Sequence, residues 1–133
     1  SYIHSNHKLG VLVEIAGAAG DAAREAGRNV AMQVAATNPL AVRRADIPEG
    51  VVQKEIEIFQ SQAREGKKPE AVVEKIVQGK LEKYYQETVL EEQTFVKDQE
   101  RTVKEHVLGV SGRLGEALSI RRFVRFQLGE DKS

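Results

Sequence analysis

Apolar positions alternate at the start of the chain and then change period. Val11, Val13 and Ile15 point one way while Leu12 and Glu14 point the other, the two-residue period of a half-buried strand. With Tyr2-Ile3-His4 before it and a polar Ser5-Asn6-His7-Lys8 between, Leu9 to Ile15 predicts a β-hairpin. From Asp21, a candidate N-cap, Ala22, Ala23, Ala26, Val30 and Val34 recur at helical spacing. That narrow face of small residues lets a helix sit close against a sheet. Asn38-Pro39 ends the helix near Thr37, because the residue before a proline avoids helical backbone.

Ile47-Pro48-Glu49 starts a second helix, with proline tolerated in its first turn. Val52, Ile56, Phe59 and Ala63 line one face, and Glu65-Gly66-Lys67-Lys68-Pro69 stops it. A third helix opens at Pro69-Glu70 and carries Val72, Val73, Ile76, Val77 and Leu81 to Tyr84 or Tyr85, with Gly79 a local weak point. Thr94 to Asp98 reads as extended, and Thr102 caps a short helix through Val103, Val107 and Leu108. Gly109, Gly112 and Gly115 then break helical order, and Leu118 to Leu128 alternates as a strand closed by Gly129. The pattern predicts an α+β fold: an antiparallel sheet, made of the N-terminal hairpin plus the C-terminal strand, packed against a block of helices. All of residues 1–133 are assigned to one domain.

Twenty basic and twenty acidic side chains cancel, so no overall field draws the chain to nucleic acid or to an anionic membrane. Cysteine is absent, which excludes disulfides, thiolate catalysis and cysteine-type zinc sites and fits a reducing cytoplasm. No apolar run reaches the length of a membrane span. The sequence opens directly on a strand-like segment, as a fragment or a mature domain does.

Strand, glycine loop and helix in that order raise a phosphate cradle at Gly17-Ala18-Ala19-Gly20. A P-loop needs Lys and Ser or Thr after its last glycine, but here Asp21, an anion, follows Gly20. The dinucleotide fingerprint fails as well, because the glycine intervals are wrong and no acidic residue stands about 20 positions on. A plain strand-to-helix connection explains these glycines better. His4, His7 and His106 lack a pattern that brings three ligands together, Tyr84-Tyr85 suits packing, and the charges from Lys97 to Glu105 suit a solvated face. Nothing in the spacing points to catalysis.

The C-terminal arginines carry more. Strict alternation places Leu118, Ile120, Val124, Phe126 and Leu128 on one face, with Arg122 in that row, and Arg121, Phe123 and Arg125 on the other. Arginine beside an aromatic is a common interface anchor. The competing explanation is an exposed polar sheet face.

Four segments resemble a known family. They are Tyr2-Ile3-His4-Ser5-Asn6 with Gly10-Val11-Leu12-Val13-Glu14; Met32 through Asn38-Pro39 with Ile47-Pro48-Glu49; Gly66-Lys67-Lys68-Pro69 with Glu74 through Tyr84; and Glu92 through Asp98 with Arg121 through Glu130. In order and spacing they are similar, almost end to end, to the core (dimerisation-type) domain of bacterial and organellar elongation factor Ts. The resemblance implies a guanine-nucleotide exchange factor rather than an enzyme, which binds elongation factor Tu, speeds GDP release and needs no metal or organic cofactor of its own. It also implies a location in the cytoplasm, or in an organellar matrix or stroma.

Two departures stand out. The family's small N-terminal helical domain has no counterpart in these residues. The family also places Thr-Asp-Phe-Val straight after the first long strand, where its Asp and Phe intrude beside the partner's magnesium site. That place holds Gly17-Ala18-Ala19-Gly20-Asp21 here, several residues shorter, which resembles a recognition loop cut down. These five residues are the candidate partner-binding loop, with Asp21 a residual counterpart of the family's acid. Family members of this single-core type pair through the C-terminal strand, so Arg121, Phe123, Val124 and Arg125 are the dimer candidates. Val124 stands where some members carry a cysteine, so a homodimer here is non-covalent. The alternative is an interaction or oligomerisation module that keeps the fold without exchange; a third, weaker option is a nucleotide-binding enzyme using the glycine loop.

Overall fold

The computed structural model describes residues 2–3, 9–17 and 20–127. His4, His7 and the turn expected between them, Ala18, Ala19 and Leu128-Gly129 lie outside the described residues. In chain order the elements are β1 (Tyr2–Ile3), β2 (Leu9–Ala16), α1 (Asp21–Thr37), α2 (Glu49–Arg64) and α3 (Glu70–Thr88). There follow β3 (Thr94–Phe95), β4 (Asp98–Thr102), α4 (Val103–Leu114) and β5 (Ser119–Gln127). Short 3₁₀ turns at Arg44–Asp46 and Leu90–Glu92 flank the α2–α3 pair. The expected α+β architecture is present, with sheet order β1-β2-β5, all antiparallel, and a separate β3–β4 hairpin.

Helix α1 packs on β2 through Ala23, Ala26, Val30 and Val34, all buried, while Ala22 faces solvent. The small side chains set the distance: a Cβ added at Gly27 would already lie 3.5 Å from the Ile15 side chain. Val11, Val103, Val107, Leu118 and Ile120 close the same core. Asn38 ends α1 in left-handed conformation (φ 48°), its N–H bonding the Val34 carbonyl at 2.9 Å. The helix begins differently from expectation. Gly20 is the N-cap and makes no side-chain bond, and Asp21 is the first helical residue.

Pro48 and Pro69 stand just before α2 and α3, and α3 runs on to Thr88, past the two tyrosines. Ala63, Val73 and Val77 form the seam of this helical hairpin with Ile56, Phe59 and Ile76. Its base rests on Ala41, Ile47 and Val89, with Val52 and Tyr85 against them. Arg44 clamps that base, bonding Glu82 at 2.7 Å and Glu92 at 2.6 Å while its guanidinium lies 4.2 Å over the Tyr85 ring. Hydrogen bonds donated by Arg44 to Glu92 and then to Glu82 raise the Arg44 pKa, and Arg44 in turn lowers that of Glu82.

A buried polar knot ties α1 to the end of α3 and to the β3–β4 hairpin. Gln33 is fully buried; its Nε2 donates to Gln93 Oε1 and to the Thr94 carbonyl, each at 3.0 Å. Its Oε1 accepts from the Val96 N–H at 2.9 Å. Thr37 Oγ1 adds a bond to Gln93 Oε1 at 2.8 Å, and Gln93 Nε2 donates to the Glu87 carbonyl at 2.8 Å.

Three further expectations are corrected. Thr94 to Asp98 is not one extended segment, because the chain turns at Val96-Lys97 and the charged stretch after it forms β4. Gly109 and Gly112 do not break α4. Thr102 and Glu105 start that helix with a reciprocal capping box, Val103, Val107 and Val110 anchor it, and only Gly115, left-handed at φ 69°, stops it; Leu108 faces solvent. The third correction concerns β5. Glu14 pairs with Arg122 but Ile15 pairs with Ile120, so Arg121 is an extra, unpaired residue. A bulge of this kind reverses the alternation beyond it. Leu118 and Ile120 are buried as expected, whereas Val124 and Phe126 are 52% and 42% exposed. Phe123, expected on the outer face, instead packs partly buried against the core.

Candidate partner-binding site

The strand-to-helix junction is built on two glycines that the backbone requires. Gly17 has φ 112° and Gly20 has φ 107° with ψ −177°, conformations essentially reserved for glycine. Gly17 also lies against the main chain before β5, where a Cβ would collide with the Ala117 carbonyl. Both glycines therefore answer a need of the fold. Gly17→Ala is expected to cost at least about 1–3 kcal/mol of stability, the usual size of such backbone strain. Urea unfolding checks this, and an unchanged midpoint would show that the junction relaxes freely.

Asp21 is fully exposed in the first turn of α1, 3.7 Å from the largely exposed Arg24. Its carboxylate already occupies the electropositive end of the helix, which disfavours a phosphate there. Of the five loop candidates, Gly17 at the end of β2 and Gly20 and Asp21 at the start of α1 are exposed, and Ala18 and Ala19 are outside the described residues.

The second candidate surface is the outer face of the sheet. Leu12 pairs directly with Val124, and Gly10 with Phe126, whose ring lies over the glycine. Leu12, Val124 and Phe126 are all substantially exposed. A shallow depression of about 320 Å³ is lined by Leu12, Val13, Glu14, Arg122, Phe123 and Val124. At its end the bulge gathers two cations on one acid: Arg122 Nε bonds Glu14 at 2.7 Å and Arg121 Nη1 lies 3.5 Å from the same carboxylate. Arg43 fixes the strand beside the bulge, donating to the Ile120 carbonyl at 3.1 Å and pairing with Glu91 at 3.3 Å.

Among the dimer candidates, Arg121 and Val124 are therefore on the exposed surface. Phe123 and Arg125 face inward, and Arg125 Nε is buried without a hydrogen-bond partner among the described residues. Leu12 and Phe126 complete the exposed patch. Leu12 was readable as outward from the alternation of β2; Phe126 was hidden by the bulge.

Other sequence candidates resolve into structural roles. Tyr84 packs edge-on against Phe59 with ring centres 6.4 Å apart, and burial, then Glu55 and Tyr85, raise its phenol pKa. Arg101 pairs with Asp98 at 3.3 Å, Lys97 donates to Asn29 Oδ1 at 3.0 Å, and Glu105 serves the α4 cap. No group of three or more His, Asp or Glu that could hold a metal occurs among the described residues. No helix among them is long and apolar enough to cross a membrane.

Comparison with known proteins identifies the family. The family described as Elongation factor TS matches residues 1–130. An elongation factor Ts from Anaeromyxobacter dehalogenans (strain 2CP-1 / ATCC BAA-258) is 48% identical over 135 residues, covering 98% of this chain and 62% of the relative. The elongation factor Ts of Pseudothermotoga lettingae is 48% identical over 136 residues, covering 98% of this chain and 69% of the relative. That of Moorella thermoacetica is 47% identical over 135 residues, covering 98% and 66% respectively. The chain thus spans about three-fifths to two-thirds of the length of these curated relatives. With the family matched along nearly all of its residues, on a sheet and helix block of the expected kind, this chain belongs to the elongation factor Ts family.

Proposed function

We propose that the chain forms one core domain that binds elongation factor Tu and promotes GDP release during translation elongation, with exchange weakened by its short β2–α1 connection. The observation that carries this is the family match over residues 1–130. An exchange factor shifts its partner toward the nucleotide-free state only by its difference in affinity for the two states. In the family pattern an Asp and a Phe in this connection supply part of that difference. Here the sequence from Gly17 to Asp21 offers one carboxylate, exposed on Asp21, and no aromatic ring. No cofactor is called for, and the role implies a cytoplasmic or organellar-matrix location. The test combines pull-down of elongation factor Tu with the kinetics of GDP release. Binding with weak stimulation supports the proposal, and absence of binding overturns it.

The outer sheet face favours self-association as an added property. Leu12, Val124 and Phe126 form an exposed apolar row, a surface that a second copy of the same sheet can cover. Without exchange activity, this property alone would make the chain an oligomerisation module. Val124→Glu is expected to weaken a homodimer at least tenfold while leaving the monomer folded. Phe123→Glu is expected to destabilise the monomer itself, because Phe123 packs on the core. Light scattering with thermal unfolding separates the two, and a monomer at high protein concentration would defeat the dimer.

A further inference from the structure

We propose that His106 is a proton-sensitive latch that holds the tip of the β3–β4 hairpin against helix α4. The imidazole stacks on the Phe95 ring with centres 4.3 Å apart and planes 21° apart, and Phe95 is itself buried in the main core. Its Nε2 is buried and has no hydrogen-bond partner among the described residues. A neutral ring tolerates this, whereas a protonated one would carry an N–H⁺ with no acceptor.

The surrounding charges work in the same direction. Arg113 of α4, Arg101 of β4 and Lys97 at the hairpin turn all disfavour an imidazolium, and Glu25 of α1 is the acid that favours it. The cations are held in place. Lys97 is bonded to Asn29 on α1, and Arg101 pairs with Asp98 while lying over Gly109, whose added Cβ would come 3.2 Å from its Nη1. Burial first, then Arg113, Arg101 and Lys97, keep the His106 pKa below its ordinary value.

The hairpin is the side that can yield. β3 has two residues and β4 is exposed almost throughout. Its base stays fixed by Gln33 on the Thr94 carbonyl and by the Val103 N–H on the Gln93 carbonyl at 2.9 Å, whereas at the tip the Val96 N–H on Gln33 and Lys97 on Asn29 are the bonds that opening must break. What acid loosens is the Phe95–His106 contact. Because the closed-state pKa is lowered, closure is fully stable above the ordinary histidine value of about 6.5 and is lost as pH falls below it. Between the ordinary value and the closed-state value, the open fraction rises about tenfold per pH unit, the slope of one proton.

The test is an NMR titration from about pH 8 to about pH 5 following the His106 imidazole, the Phe95 ring and the Val96 amide. His106 is expected to titrate below about 6.5, with Phe95 and Val96 changing at the same midpoint. Arg113→Gln should raise that midpoint and Glu25→Gln should lower it. His106→Phe, which keeps the stack and removes the titrating nitrogen, should abolish the transition at Val96. A His106 midpoint at or above about 6.5 would overturn the latch. So would a His106 titration that leaves Phe95 and Val96 unmoved; should His106→Phe not fold, the two charge variants decide alone.

Discussion

Replacing Ala18-Ala19 with a longer segment carrying Thr-Asp-Phe-Val is expected to accelerate GDP release from elongation factor Tu by roughly 30- to 1,000-fold over the unmodified chain. The figure follows from restoring two contacts of interface hot-spot size, on the order of 2–4 kcal/mol together, at about 1.4 kcal/mol per factor of ten. Those contacts act on the difference between partner states, so total affinity should change less than the release rate. The junction is suited to the change. Gly17 and Gly20 fix where the chain leaves β2 and enters α1, and the insertion falls between them, leaving both backbone conformations in place. Stopped-flow release of a fluorescent GDP analogue checks it. An inserted chain that binds as before but releases GDP no faster would remove this loop from the mechanism.

The second large effect is on stability. Gln33→Met keeps the length of the side chain and removes all of its polar atoms. The Val96 N–H and the Thr94 carbonyl then lose the partner that Gln33 supplied, and Gln93 Oε1 keeps only Thr37. The Thr94 and Val96 bonds are only part-buried, so against the about 1–3 kcal/mol for each fully buried group left unpaired, a loss of about 2–4 kcal/mol is expected. For a domain of this size that lowers the melting temperature by roughly 10 °C. Calorimetry provides the number. A loss under about 1 kcal/mol would mean that water enters the knot and replaces the glutamine.

The parts of the fold that were legible in the sequence are those set by local rules. Alternation over Val11 to Ile15, the small face of α1, the Asn38-Pro39 stop and the Thr102 cap each name their own element. What escaped depends on partners distant in sequence. Gly109 and Gly112 read as breaks, yet the capping box and the burial of Val107 and Val110 carry α4 through them. Arg121 gives no local sign of being a bulge; only its pairing with β2 makes it the extra residue, and one residue of slip exchanges Phe123 for Val124 on the outer face. Asp21 argues against a phosphate cradle from the sequence alone, but that Gly17 is demanded by the Ala117 carbonyl could be learned only from the fold. The Gln33 knot joins residues about sixty positions apart and left no pattern at all.

The most direct test of the central claim uses the unmodified chain: binding to elongation factor Tu, with and without GDP, measured alongside the rate of GDP release in one titration series. If the chain carries the binding surface proposed for it, with a shortened connection, it should bind in both states, with a small preference for the nucleotide-free partner and weak acceleration of release. Full acceleration at saturating chain would contradict the account, because exchange would then be driven from a surface other than the Gly17 to Asp21 junction.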